Sequence, residues 1–378
     1  MTFLAAGLAA ASLALFVWSY LVYPVVIERL AGRARVEDRA DAAAPNVEVL
    51  LSAADEEAVI GARVANLLAQ GGIPAPSITI GCDGCRDGTA AAARAAGGSR
   101  VRVVEFAARR GKAAVLNDLV AASSADLLVF TDANTAFEPG AVRALAAAFT
   151  DPAVGAACGR LRFETAPGAR ETPEARYWDR ETRLKEAEGA LGVCLGANGA
   201  IYAARRELVA PLPEDTTSMD DFLIPARAAG RGRRVVFAGD AAAREDAARD
   251  VRAEVSRRFR IGVGGGQVLR RERWLYAAPR HGLLTLAFLS RKAARWLAPL
   301  LALLAAAAAL LAPPLRAAGA AALAVALLAL VAARFRPRLR GPFGRLYYFG
   351  VLNVALALGV AAGLAGYARP VWTRTARS

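Results

Sequence analysis

Residues 127–134 read LLVFTDAN. Leu127–Thr131 shows no polar alternation, so it suits a strand buried on both faces. Such strands belong to parallel sheets covered by helices, where ligands gather at the carboxyl ends of the strands. Asp132 and Asn134 stand at that end. Reading back toward the N-terminus, Val47–Leu51, Ser77–Ile80 and Val101–Phe106 are further short β-rich runs. Ala58–Gln70 and Thr89–Ala96 separate them as helical segments, and Lys112–Ala121 follows the third. Strands alternating with helices predict an α/β domain with a mostly parallel sheet. The loops after Leu51, Ile80 and Thr131 are then the places for chemistry. They read SAADEE (52–57), GCDGCRDGT (81–89) and DAN (132–134). No P-loop pattern is present. Carboxylates at strand ends without a glycine-rich phosphate cradle suggest that a metal ion holds the phosphates of a ligand.

Composition bounds the rest. The chain has 378 residues, of which 56% are hydrophobic, an excess that calls for a membrane or a greatly enlarged core. Four cysteines argue against a disulfide scaffold. One histidine, His281, excludes a multi-histidine zinc site and argues against a Ser-His-Asp triad. The net charge is +14, and only three of the 48 basic residues are lysines: Lys112, Lys185 and Lys292. Such a charge suits an anionic membrane surface or a phosphorylated substrate. No RNA- or DNA-binding motif accompanies it, so nucleic acid is not an expected partner.

The apolar excess sits at the two ends. Thr2–Ile27 carries no charge and is longer than the ~20 residues needed to span a bilayer. Trp296–Leu315, Ala317–Ala333 and Leu346–Ala368 are three more uncharged runs, and Pro313-Pro314 breaks the first from the second. The expected organisation is an N-terminal span over 1–28, a soluble domain over 29–279, an interfacial helix over 280–295, three spans within 296–368 and a tail over 369–378. Arg29, Arg33 and Arg35 follow the first span, and Arg334, Arg336, Arg338, Arg340 and Arg345 lie between the third and fourth. By the positive-inside rule these place the soluble domain in the cytoplasm of a multi-pass inner-membrane protein. Arg369, Arg374 and Arg377 in the tail oppose that orientation mildly. Arg295-Trp296 reads as an anchor at the headgroups.

Five segments in order carry a resemblance: SAADEE, CDGCRDGT, RRGKAAVLN (109–117), TDAN and MDDFLIPAR (219–227). With the layout of the spans, they make the chain resemble the membrane-embedded family 2 glycosyltransferases, similar to the synthases of cellulose, poly-N-acetylglucosamine and hyaluronan. The resemblance implies a GT-A fold, a nucleotide-diphosphate sugar donor (a UDP-sugar), and a saccharide or lipid-linked acceptor. It also implies a Mg2+ or Mn2+ ion facing Asp132 and Asn134. Asp55, Glu57, Asp83, Lys112 and Asp132 would line the donor nucleotide site, with Asp83 on the base. Asp221 would be the catalytic base and Asp220 its acidic neighbour; Asn198, Arg257 and Arg260 would lie on the acceptor side.

The departures are specific. Asn134 stands where the family has a second aspartate. Arg257-Arg-Phe-Arg260-Ile261 stands where processive members carry Gln-x-x-Arg-Trp. Single-sugar transfer to a polyprenyl phosphate or lipid, and a catalytically inactive membrane scaffold, therefore stay open beside polysaccharide synthesis. The stretch Gly262–Gly266 reads either as a gating loop or as a close-packing segment, and 196–199 (GANG) either as an acceptor-side loop or as a plain turn.

Overall fold

A computed structural model describes residues 1–32, 45–71, 75–164, 173–246, 251–335 and 341–368. Arg33, Arg35, Arg336, Arg338, Arg340 and the tail at 369–378 lie outside these residues. The four strands expected from the sequence form: β1 (Val47–Ala53), β2 (Ser77–Asp83), β3 (Val101–Phe106) and β4 (Leu127–Thr131). They pair in parallel in the order β3-β2-β1-β4, with helices Glu57–Leu68, Thr89–Gly97 and Lys112–Ala121 as crossovers. Four further strands extend the sheet: β5 (Ala136–Phe137), β6 (Val154–Glu164), β7 (Tyr202–Arg205) and β8 (Arg234–Asp246). The full order is β3-β2-β1-β4-β7-β6-β8-β5. In this second half β7 runs antiparallel to both β4 and β6, and β5 antiparallel to β8. The sheet is therefore mixed, a GT-A-like domain whose first half is the parallel one.

The mostly apolar character of β1 and β4, broken in β1 by buried Glu48 and Ser52, follows from two-sided burial. Leu50, Leu128 and Phe130 point into one core, and Val49, Leu51 and Val129 into the other. Each such side chain contributes roughly 1.5–3 kcal/mol by leaving water. The first core does not stop at the domain: it continues through Phe222 into Phe288, Trp296 and Leu356 of the apolar helices.

Among the described residues, four helical segments are long and apolar enough to cross a membrane: Thr2–Ala31, His281–Leu310, Pro313–Val331 and Tyr347–Leu364. The chain is a multi-pass membrane protein. The stretch 280–295 is part of one helical run from Ala278 to Leu310, kinked at Gly282 and passing through a π-helical turn at Phe288–Ala293. Thr285, Ser290 and Arg291 within it are buried. Arg291 is 1% exposed and bridges Glu181 and Glu188 of helix Pro173–Ala190, while Arg295 pairs with Glu181 at 2.9 Å. Trp296, expected as an anchor at the headgroups, is 5% exposed and packs edge-on against Phe222 and Phe288, so its amphipathic ring serves the core instead.

Gly262–Gly266 is helical, within Val251–Arg271. A Cβ on Gly262 or Gly266 would come within 2.4 Å of the carbonyl oxygen of Leu356 or Val360. The stretch is a close-packing segment that lets two helix backbones touch, as small residues do between membrane helices.

Candidate active site

One cleft of about 840 Å³ opens where the carboxyl ends of β1 and β4 meet the segment before β7 and the apolar helices. Its lining brings together Lys112, Asp132, Asn134, Asn198, Asp220, Asp221, Arg257 and Arg260, which are separated in sequence by up to 148 positions. Asp55, Glu57 and Asp83 do not line it.

Lys112 is the hub. Its Nζ lies 2.9 Å from Asp132 Oδ1 and 3.0 Å from Asp220 Oδ2. Burial disfavours the ammonium, but these two carboxylates outweigh it and hold the lysine above its ordinary pKa. Asp220 also accepts a hydrogen bond from the Tyr202 hydroxyl at 2.9 Å, and Tyr202 stacks on Phe130 of β4 at 4.8 Å. Asp220 and Asp221 open helix Asp220–Gly230, where the unpaired N–H groups of the first turn favour negative charge. Ser218, just before, adopts φ 53°, a strained conformation of the kind stored at functional sites.

Asp221 differs from its neighbour. Burial, and then the charge of Asp220, push its pKa up to about 7, with Lys292, Lys112 and Lys185 acting against the rise. It therefore changes protonation near neutrality. The backbone of 196–199 packs along this row of charges. A Cβ on Gly199 would stand 3.3 Å from Asp132 Oδ2, 3.8 Å from Lys112 Nζ and 4.0 Å from Asp221 Oδ2. Only a glycine leaves that space open. The N–H of Ala197 donates to the backbone carbonyl of Asp221 at 3.0 Å, so this segment is tied to the acidic pair as well as facing it. Asn198 accepts a hydrogen bond from Lys185 Nζ at 2.5 Å.

The residues outside the cleft have structural partners. The Asp83 carboxylate accepts the backbone N–H of Arg110 at 2.6 Å and of Gly111 at 2.8 Å, which positions the residue before Lys112. Gly84 makes this approach possible: it has φ +56°, and a Cβ there would lie 2.4 Å from the Arg109 nitrogen. Asp55 pairs with Arg109 at 2.7 Å and accepts the Arg86 N–H. Glu57 accepts the N–H of Gly88 at 3.0 Å, while Asp87 accepts those of Glu57 and Thr89. The loops after β1 and β2 thus clamp each other.

Sequence reasoning missed Lys185 and Lys292 as cleft residues. A signal was available. In a chain that uses arginine almost everywhere, all three lysines line this one cleft.

A GT-A-like domain with a lysine- and aspartate-lined cleft, built onto apolar helices, defines a membrane-associated glycosyltransferase that transfers a sugar from a nucleotide carrier to an acceptor. Residues 45–264 match the family model "Glycosyltransferase like family 2", more than half of the chain, and the protein belongs to that family. It is a family 2 glycosyltransferase enzyme. Among solved structures, the mannosyltransferase PcManGT from Pyrobaculum calidifontis, in complex with GDP-Man and Mn2+, is similar in fold with a TM-score of 0.62 at 22% identity. That alignment covers 94% of this chain and 99% of the other. TarS of S. aureus aligns with a TM-score of 0.42 at 14% identity, over 59% of this chain and 40% of that one. No curated protein sequence matches the chain.

Proposed function

We propose that this enzyme moves a sugar from a nucleoside-diphosphate carrier to a hydroxyl of a saccharide or lipid-linked acceptor, inverting the anomeric carbon. The observation that carries the reading is the convergence of Lys112, Asp132 and Asp221 on the backbone of Gly199. Asp221 takes the proton of the acceptor hydroxyl as its oxygen attacks the anomeric carbon, and the bond to the diphosphate oxygen breaks. Asp220 holds Lys112 at the donor and raises the basicity of Asp221. Asp55, Glu57 and Asp83 serve the donor side by holding the loops that lead into Lys112. Asn198, Arg257 and Arg260 belong to the acceptor side.

A divalent cation fits the donor end. Asp132 Oδ1 is taken by Lys112, while Oδ2 has no hydrogen-bond partner among the described residues and faces the cleft. Exposed Asn134 adds a neutral amide oxygen. Two hard oxygen donors suit Mg2+ or Mn2+, which keep waters and phosphates as their other ligands. Bound there, the ion would neutralise charge on the departing diphosphate.

The donor test uses the full chain purified in detergent, with Mn2+ and panels of UDP- and GDP-sugars. UDP-sugars are the first choice from the sequence resemblance, and the GDP-Man complex of PcManGT makes GDP-sugars the second. Release of nucleoside diphosphate from one panel, abolished by EDTA, is expected. No release from any donor would leave an inactive scaffold as the better account. For orientation, the basic loops favour a cytoplasmic catalytic domain at the inner membrane. A reporter fused near Gly168 should behave as cytoplasmic, and an extracytoplasmic signal there would reverse the assignment.

A further inference from the structure

Residues 194–197 are buried yet belong to no helix or strand. The backbone groups of such a segment need partners from elsewhere. At Leu195 both partners are charged side chains. Its N–H donates to Glu188 Oε2 at 3.3 Å, and its carbonyl accepts from Arg291 Nη1 at 2.8 Å. Glu188 and Arg291 are 0% and 1% exposed and pair with each other, so the three residues close a ring.

The pair is itself held from the membrane side. Tyr23, fully buried on the N-terminal span Thr2–Ala31, donates its hydroxyl to Glu188 Oε1 at 2.9 Å. Arg291, on the span His281–Leu310, also donates through Nε to Glu181 Oε1 at 3.0 Å. The two spans are tied together by Trp18 donating to Ser290 at 2.8 Å and by Arg295 donating to Ser19 at 3.1 Å. A buried ion pair is weak evidence for stability, since desolvation offsets the attraction. Its directed hydrogen bonds fix geometry, and the geometry they fix here is a backbone that leads into the cleft.

Leu195 is followed by the residues that face the row of charges. Lys292 rests on the backbone of Gly196, the Ala197 N–H donates to the Asp221 carbonyl at 3.0 Å, and Gly199 faces Asp132, Lys112 and Asp221. Two consecutive helix residues, Arg291 and Lys292, thus meet two consecutive segment residues, Leu195 and Gly196. Both lie in the π-helical turn Phe288–Ala293, a distortion frequent at functional sites. At the far end the Thr131 hydroxyl donates to the Ala200 carbonyl at 2.6 Å, beside Asp132. The segment 195–200 is strung from the spans to the end of β4, with Asp221 along its length.

We propose that Tyr23, Glu188 and Arg291 are positioning residues: by holding Leu195 they set the segment 195–200 against Asp221, so that two membrane spans place the base for attack. This rests on the glycosyl-transfer reading and adds to it how the base is held.

The test uses the full-length protein in detergent with Mn2+ and the donor that the wild type consumes. Turnover is read as release of nucleoside diphosphate at saturating donor, with water as the nucleophile that Asp221 serves. Titration with the nucleoside diphosphate counts donor sites, and turnover is expressed per site, so a mere loss of folded protein leaves the readout unmoved. Tyr23→Phe keeps the ring and removes one hydrogen bond to a carboxylate; its turnover per site should fall at least about threefold. Arg291→Lys keeps the charge but lacks the planar fork that reaches Leu195, Glu181 and Glu188 together. Its turnover per site should fall at least about tenfold, on a scale where a displacement of about 1 Å costs about a hundredfold. Nucleoside-diphosphate affinity should stay within about twofold in both, because the network does not touch Lys112 or Asp132. Unchanged turnover per site in Tyr23→Phe overturns the inference, whether or not Arg291→Lys folds. So does a loss of nucleoside-diphosphate affinity as large as the loss of turnover, which would make the network a support for the donor loops. If the wild type neither binds nor releases nucleoside diphosphate, the glycosyl-transfer reading fails and takes this inference with it. An active wild type whose variants match it per site defeats this inference alone.

Discussion

Asp221→Asn is expected to keep nucleotide-sugar binding and to lose transfer by at least about a hundredfold, the low end of what general-base assistance contributes. The amide preserves shape but cannot accept the acceptor's proton. The wild-type pH profile follows from the same group. A base works when deprotonated, and burial beside Asp220 pushes Asp221 up to about 7. Transfer at subsaturating acceptor should therefore rise about tenfold per pH unit below 7 and level off above it. Asp220→Asn removes a neighbouring negative charge, so its profile should shift to lower pH even as its rate falls. Normal transfer by Asp221→Asn, or a wild-type profile flat between pH 5 and 8, would assign the base elsewhere.

Lys112→Met should abolish measurable donor binding. The substitution keeps the apolar stem but leaves Asp132 and Asp220 without their shared counter-ion, so the donor's diphosphate would meet two uncompensated carboxylates. Asp220 is the costly one, because its side chain is only 8% exposed, whereas Asp132 at 36% keeps contact with water. Removing one partner of a buried pair typically costs about 3–5 kcal/mol, and partial hydration of Asp132 places this case near the lower figure. At roughly 2–4 °C per kcal/mol for a domain of this size, a fall in Tm of about 6–12 °C is expected. Isothermal titration with Mn2+ and the nucleotide sugar, beside a thermal melt, reads both effects. Donor affinity unchanged in a folded Lys112→Met protein would remove Lys112 from the donor site.

The linear chain already carried the parallel half of the sheet. β1, β2 and β4 are short and buried on both faces, β3 is a short β-rich run at the sheet edge, and the crossover helices between them are local. The four apolar segments were equally plain, because the bilayer demands length and hydrophobicity within one stretch. β6, β7 and β8 were not. Their sequences, VGAACGRLRFE, YAAR and RVVFAGDAAARED, are rich in alanine and arginine and show no clean period. Alanine is small enough to be buried there only because partners distant in the chain close over it.

The site divides in the same way. Asp132, Lys112 and the Asp220-Asp221 pair were legible as polar residues at strand or helix ends in a motif order. What Asp83 holds was not, because a carboxylate in a turn looks the same whether it faces a ligand or the backbone amides of a loop 27 residues on. Nor could spacing show that Lys185 and Lys292 flank Asp221. They are brought there by helix Pro173–Ala190 and by the helix entering the membrane. Local composition dictates which segments are strands, helices and spans, since those choices depend on neighbouring residues. The balance of charge inside the cleft depends on which distant side chains share it, and only the packing of the sheet against the apolar helices decides that.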